Sequence, residues 1–420
     1  MEISKGNRFV SLAKMNQTII IILTFFIIFS INLPGLPSFL TSTRISSVLF
    51  LLWTSIYNNG IIKYDNTPVS YYFHNILKLY FWLFCYSIIL LFINGRGSGL
   101  TSAAFYIDVV ITWSILWISY HNCLNSKEKI LDILVWVALL QSIIIGMCII
   151  NPEIRSFINN TFNGLSFWNI NRNVDEMYKL GYSFGIGCMT STGSLQLAIG
   201  QIASLAKINQ NKTNNFIDIF CFILISIASI LVSRTGLFLT LMFLGFNHKI
   251  LKLKWYKYLV LALIVFSAIY ISNFDAKEFS EQRLNRYIYL FNNGLYESYF
   301  YSYFNSIDTY IPELSAETIL GTGILSGISG NGTKVNVDGG YLRLYVAVGL
   351  VCSIIMYMLI LRYILKIKKY IINNKMIVYI CILTLYLGEI KEFICVSNYI
   401  GYIFLILYTV QNERRAKYEI

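Results

Sequence analysis

Histidine occurs only three times in this 420-residue chain, and charged residues make up 13% of it. Soluble domains carry about a quarter of their residues as charges, so this composition excludes a water-facing surface over most of the chain. The eight cysteines include no CxxC pair, and neither a disulfide framework nor a zinc site is indicated. No P-loop, HExxH or GxSxG sequence occurs, and Gly321, Gly323, Gly327, Gly330 and Gly332 do not fit a dinucleotide fingerprint. Nucleotide-driven transport and dinucleotide chemistry are thereby disfavoured, and no cofactor or metal is expected. Proline is also sparse. Two of its five copies, Pro34 and Pro37, follow the first apolar run where a signal peptide would show a small-residue cleavage site. That run reads as an uncleaved first span.

What the chain has in abundance is apolar sequence: 56% of its residues are hydrophobic and its mean hydropathy is +0.61. Apolar runs recur along its whole length, many long enough to cross a hydrocarbon core of roughly 30 Å as helices. About twelve are expected, near Thr18–Leu33, Ile45–Tyr57, Ile76–Ile93, Ala104–Tyr120, Ile130–Ile150, Gly185–Ala206, Phe216–Val232, Thr235–Phe246, Tyr258–Ser272, Tyr341–Leu361, Ile377–Leu387 and Ile394–Val410. The fold class is therefore an all-α polytopic membrane protein, one integral membrane domain over residues 1–420.

Cationic loops resist translocation, so lysine and arginine report orientation. A cytoplasmic N-terminus places Lys5, Arg8, Lys14, the Lys249-Lys252-Lys254-Lys257 run, Lys366, Lys368, Lys369, Lys375 and the Arg414-Arg415-Lys417 tail on the inner side. Both termini are then inside. The net charge of +12 reads as a topology signal directed at anionic inner-membrane lipids, not at nucleic acid. Two long segments remain outside, 151–184 and 273–340. The second, roughly 65 residues, exceeds the usual connection length by far and is expected to be functional. It carries a helical stripe of Leu284, Ile288, Phe291 and Leu295 and ten aromatics from Tyr287 to Tyr310, a pattern that suits a surface helix or a sugar-binding platform.

Arginine and lysine satisfy the orientation rule equally, so their ratio is free to report chemistry. Outside lie eight arginines, Arg44, Arg96, Arg155, Arg172, Arg234, Arg283, Arg286 and Arg343, against four lysines, Lys179, Lys277, Lys334 and Lys391. Inside, four arginines face seventeen lysines. A planar guanidinium grips phosphate oxygens in a bidentate fork, which points to a pyrophosphate-bearing lipid. Arg234 sits at the tip Ser233-Arg234-Thr235-Gly236 between two apolar runs, where an arginine is costly unless paired. Asp338-Gly339-Gly340-Tyr341 with Arg343, and Gly388-Glu389-Ile390-Lys391-Glu392, form two further outward clusters. Asp338, Glu389 and Glu392 are thus candidate general bases, equally matched by salt bridges to Lys391 or Arg343 as their reason for being there. All three histidines, His74, His121 and His248, fall inside, so outer chemistry must run without imidazole.

The Leu231-Val232-Ser233-Arg234-Thr235-Gly236 hairpin, the Leu320-Gly321-Thr322-Gly323 segment before a loop ending in Asp338-Gly339-Gly340-Tyr341, and the Glu389-Ile390-Lys391-Glu392 tip resemble the bacterial O-antigen repeat-unit polymerases of the O-antigen polymerase and ligase superfamily. The resemblance implies a metal-independent glycosyltransferase of the helical membrane type (GT-C), multi-pass in the bacterial inner membrane. It implies undecaprenyl-diphosphate-linked oligosaccharides as donor and acceptor in the periplasm, with a chain-length regulator as a further partner. It also implies that Arg234 and the loop arginines Arg155, Arg172, Arg283 and Arg286 carry the diphosphate. Arg343, Lys391, Tyr287 and Tyr341 complete the expected substrate-binding set. Two alternatives stand beside it. Ligases of the superfamily resemble one another in an outer-loop histidine, absent here, and a lipid-oligosaccharide flippase should show two similar halves without a long outer loop.

The orientation has a direct test. Reporter fusions after Ser98, Asn163 and Asn305 should be periplasmic, and fusions after Asn125, Asn209 and Asn373 cytoplasmic. A cytoplasmic reporter at Asn305 would remove the large outer loop and the chemistry built on it.

Overall fold

A computed structural model describes residues 2–31, 41–63, 66–94, 99–124, 126–162, 185–187, 190–210, 216–246, 319–325, 339–372, 374–390, 392, 394–395 and 397–412. Among these residues the chain is helical and contains no β-strand. The helices are α1 (Glu2–Ile28), α2 (Ser42–Tyr57), α3 (Pro68–Asn94), α4 (Gly99–Cys123), α5 (Glu128–Ile150), α6 (Pro152–Thr161), α7 (Thr190–Gln210), α8 (Phe216–Val232), α9 (Arg234–Phe246), α10 (Gly340–Val348), α11 (Leu350–Ile367), α12 (Lys375–Glu389) and α13 (Tyr399–Val410). Among the described residues four segments, Pro68–Ile93, Ala103–Cys123, Glu128–Ile150 and Leu350–Tyr370, are long and apolar enough to cross a membrane. Met15–Ile28, Phe216–Val232, Thr235–Phe246 and Tyr399–Val410 are shorter apolar helices. The protein is a helical membrane protein, as its composition requires.

The apolar runs read from the sequence coincide with helices, with informative differences. The first helix ends at Ile28, short of Leu33, and the last begins at Tyr399, after Ser397 N has bonded back to Ile394 O (3.0 Å). The tenth run is broken at Gly349. Within the first long loop, α6 forms at once: Asn151 caps it by accepting from Glu153 N (2.8 Å) and Ile154 N (3.3 Å), and Pro152 fills the first turn where no N–H is needed. The run near Tyr258–Ser272 lies outside the described residues.

The chain divides into two compact units, Met1–Asp65 with Ile115–Phe279 and Tyr408–Val410, and Asn66–Ser114 with Ser280–Leu407 and Gln411–Ile420. In the first unit α7 is central, packed by α5, α8 and α9, and buried along Gly193–Ala206. Small residues permit this. A Cβ at Gly200 would fall 2.1 Å from Ala138 Cβ of α5, and one at Gly236 of α9 would fall 2.0 Å from Ser229 O of α8. The polar side chains of α7 then bond to neighbouring helices. Gln201 Nε2 donates to Ser226 Oγ and Thr240 Oγ1, each at 2.9 Å, and the Ser194 and Ser233 hydroxyls lie 2.6 Å apart. At the other end of α7, Lys207 Nζ bridges Asp132 of α5 (2.8 Å) and Asp218 of α8 (2.6 Å). The last carbonyls of α1, orphaned by helix geometry, are taken up by Ser42 Oγ on Phe26 O (2.9 Å), Thr43 Oγ1 on Ile27 O (3.2 Å) and Gln196 Nε2 on Ile28 O (2.8 Å).

In the second unit Trp113 is fully buried, edge-on to Phe73 (5.9 Å) and Tyr402 (4.8 Å). Gly401 makes that possible, since a Cβ there would lie 2.1 Å from the indole. α3 packs on α10 and α11, and α11 on α12.

Gly200→Ala should therefore destabilise the first unit by about 1–3 kcal/mol through overpacking, read as a lower midpoint of thermal unfolding in detergent. Combining it with Ala138→Gly removes the opposing methyl, so the pair should be non-additive by about 0.5–3 kcal/mol. Additive losses would show that the two helices do not meet there.

Candidate functional site

The break at Gly349 organises the second unit. Tyr341 precedes this glycine by eight residues and Tyr357 follows it by eight, yet their ring centroids are 4.9 Å apart. In one straight helix they would be about 24 Å apart along the axis. α10 and α11 are consequently a helical hairpin with Gly349 at its turn. Gly349 has φ +85° and Gly321 φ +99°, conformations that suit glycine. Each also admits the other's backbone: a Cβ on Gly349 would meet Ile319 O at 2.2 Å, and one on Gly321 would meet Val348 C at 2.5 Å. The carbonyls that end α10 are paired by this crossing segment. Thr322 N donates to Val346 O (2.8 Å), Gly323 N to Ala347 O (2.9 Å) and Thr322 Oγ1 to Val346 O (2.9 Å). An irregular backbone inside an apolar protein is thereby satisfied without water.

The start of α10 rests on Glu389. This side chain is fully buried. Its Oε2 accepts from Ile394 N (2.7 Å) and Cys395 N (2.6 Å), and its Oε1 accepts from the Tyr357 hydroxyl (2.7 Å). Gly340 abuts the carboxylate so closely that a Cβ would fall 2.4 Å from Oε1 and 2.6 Å from Glu392 O. A negative group at a helix N-terminus is favoured by the helix dipole, which adds to the three donors. Tyrosines enclose it: Tyr341 donates to Tyr386 O (2.8 Å), Tyr386 to Tyr357 O, and Tyr80 to Cys395 O. This network joins α3, α10, α11, α12 and the turn before α13.

The structure thus brings Gly340 and Tyr341 together with Glu389 and the backbone of Glu392. Glu389 spends its oxygens on the protein's own donors and exposes none to solvent, which makes it a fold-holding carboxylate in this arrangement. Glu392 and Arg343 are half-exposed nearby along the chain. In the first unit Arg155, on α6, is 93% buried, and Arg234 is the first residue of α9, directly after Ser233. Arg172, Arg283, Arg286, Tyr287, Asp338 and Lys391 lie outside the described residues. Among the described residues no group of three or more His, Cys, Asp or Glu side chains is arranged to hold a metal ion.

Sequence reasoning missed two features. Tyr357 carried no motif and sits mid-run among apolar neighbours. The Lys207–Asp132–Asp218 bridge was legible in principle, since ionisable residues flanking apolar runs seek one another; Lys207 read only as an orientation signal.

The chain matches no protein-family model, no curated protein and no solved structure.

Two substitutions separate holding the fold from serving a substrate. Tyr357→Phe removes one charge-assisted bond and should cost about 1.5–3 kcal/mol of stability. Glu389→Gln should cost at least as much, because its amide N–H₂ must face either the Tyr357 hydroxyl or the two backbone N–H donors. Thermal unfolding in detergent is the measurement. A Glu389→Gln protein as stable as wild type would assign the carboxylate to a ligand instead.

Proposed function

We propose that the protein is a metal-independent glycosyltransferase that polymerises surface polysaccharide, moving a growing glycan from undecaprenyl diphosphate onto a lipid-linked repeat unit at the outer face of the bacterial cytoplasmic membrane. The reading takes twelve spans with both termini inside. One observation carries it: arginine outnumbers lysine eight to four on the side assigned as outer, and lysine outnumbers arginine seventeen to four on the other. Selection for guanidinium over ammonium at equal charge is what a diphosphate asks for. The resemblance of the Arg234 hairpin, the Leu320–Gly323 segment and the Glu389–Glu392 tip to O-antigen polymerases supports the same chemistry.

In the proposed reaction Arg172, Arg234, Arg283 and Arg286 hold the donor diphosphate. An acceptor hydroxyl attacks the anomeric carbon, forming the new glycosidic C–O bond. The bond from that carbon to the diphosphate oxygen breaks, and the lipid diphosphate leaves with the electron pair. The arginines stabilise the departing charge, which is the largest demand of the step. The hydroxyl proton passes to an outer carboxylate, Glu392 or Asp338. Glu389 takes the supporting part, holding the α10 start and the turn that carries Ile394 and Cys395.

Arg234 offers the sharpest test, in an assay of polymer formation from lipid-linked repeat units at matched membrane protein level. Lysine at this position keeps the charge but loses the fork. Arg234→Lys should lower catalytic efficiency about 10- to 150-fold, the equivalent of one charge-assisted bond, and Arg234→Ala further. Arg414→Lys on the inner tail should change nothing. Wild-type polymer from Arg234→Lys would refute the fork at this position.

A further inference from the structure

Apart from its arginines, the first unit takes no part in the chemistry proposed above, yet polar groups run along its central helix. Three rungs join α7 to its neighbours: the Ser194–Ser233 hydroxyl pair, Gln201 with Ser226 and Thr240, and Lys207 with Asp132 and Asp218. They stand seven and six residues apart on α7, about 10 and 9 Å of rise, so the set covers about 20 Å of a hydrocarbon core of roughly 30 Å. Between the rungs lie two further serines. Ser229 of α8 falls three residues after Ser226 and four before Ser233, and Ser204 of α7 falls three after Gln201 and three before Lys207. Spacings of three and four keep each serine beside the rungs that flank it.

Gln201, Ser204 and Ser229 are fully buried, and Gln201 Oε1, Ser204 Oγ and Ser229 Oγ have no hydrogen-bond partner among the described residues. Turning the Gln201 amide over would only exchange which of its two atoms is left over, because a single atom serves both hydroxyls. Buried polar atoms without protein partners, in gaps bounded by further polar groups, are what internal water requires, and each gap is about three hydrogen-bond lengths long. The groups also select what travels. Hydroxyls and water both donate and accept, so together they hand a proton along. A metal ion would need several oxygens at once, and the place between the two carboxylates is already filled by Lys207 Nζ. Two carboxylates against one ammonium leave one negative charge there, and a proton is the cation small enough to answer it.

We infer that α7 carries a proton path through the first unit, from the Asp132–Lys207–Asp218 cluster, by way of water beside Ser204, Gln201 and Ser229, to the Ser194–Ser233 pair. The Asp132 side chain, 36% exposed, takes a proton from bulk water. Lys207 passes one of its own protons to Asp218, whose side chain is 5% exposed, and is refilled from Asp132. Asp218 hands the proton to water at Ser204, and the Ser194–Ser233 end releases one. One proton leaves for each that enters, and every group returns to its starting state. The path does not depend on the proposed glycosyl transfer, nor on which side of the membrane either end faces; the imposed gradient sets its direction.

The full chain reconstituted in phosphatidylcholine vesicles tests it, with a pH-sensitive dye inside and a membrane potential set by potassium and valinomycin. Proton uptake should exceed that of protein-free vesicles. Asp218→Asn should lower it about tenfold or more, the rate equivalent of one charge-assisted bond. Ser204→Ala combined with Ser229→Ala should lower it by about tenfold as well, yet leave the thermal unfolding midpoint unchanged or raised, because a buried hydroxyl without a partner does not support the fold. Ser142→Ala is the control: that hydroxyl bonds Ala138 O within its own helix, and its loss should leave the flux as it was. Circular dichroism establishes that each variant is folded. Flux no greater than in protein-free vesicles, wild-type flux in the folded double serine variant, or sodium carried as readily as protons would overturn the path.

Discussion

Hydrocarbon supplies no hydrogen-bond partner, so a polar atom that leaves its helix must be met by another atom of the same chain. Glu389 shows how far that constraint reaches. A carboxylate cannot sit fully buried in an apolar protein unless donors surround it, and here two backbone N–H groups and a tyrosine hydroxyl do so. Those donors belong to different elements. Keeping the carboxylate satisfied therefore fixes α11 to α12, fixes the Ile394–Cys395 turn, and sets the start of α10 against both. The same rule governs the Gly349 turn, where Thr322 and Gly323 supply the donors that the end of α10 lacks. In the first unit it pairs Lys207 with two aspartates and gives Gln201 two hydroxyl partners.

Glycine makes such satisfaction geometrically possible. Hydrogen bonds between helices need backbones to approach closely, and a side chain at Gly200, Gly236, Gly340 or Gly349 would occupy space already filled by another element. Association of helices in lipid lacks a hydrophobic driving force, so these close contacts and the polar bonds they allow supply much of the cohesion. The same geometry explains why the Leu320-Gly321-Thr322-Gly323 segment stands out in the sequence. Its glycines accept a left-handed backbone beside Gly349, and its threonine caps the neighbouring helix twice over.

The apolar runs were legible because helix and hydrophobic thickness share one length scale, and α8 falls on the expected residues, Phe216–Val232. The hairpin of α10 and α11 was not. Val346-Ala347-Val348-Gly349-Leu350-Val351 is apolar throughout, and hydropathy does not distinguish a glycine that turns the chain from one that rides inside a helix. The pairing of the Gly340 segment with Glu389 was half legible: both clusters read as outward-facing neighbours, but only packing shows the carboxylate enclosed. Tyr357 could not have been found, since its role comes from a partner 32 positions away. Arg155, expected among the arginines of the first long loop, lies buried on a short capped helix.

Enclosure of Glu389 bears on the proposed reaction. A general base must reach a substrate hydroxyl within hydrogen-bond distance, and a fully buried carboxylate already engaged by three donors has poor access to one. The weight of catalysis then shifts to the leaving group. A lipid diphosphate departs as a stabilised anion when guanidinium groups hold its oxygens, so the attacking hydroxyl needs only modest help from Glu392 or Asp338. Arginine is the residue for that task because it stays charged when partly desolvated. On this account the enclosed glutamate and the outer arginines answer one problem in two ways. In the proposed reaction Glu389 keeps the neighbouring backbone in place, and the arginines are assigned to a charge that exists only once the bond to the diphosphate has begun to break.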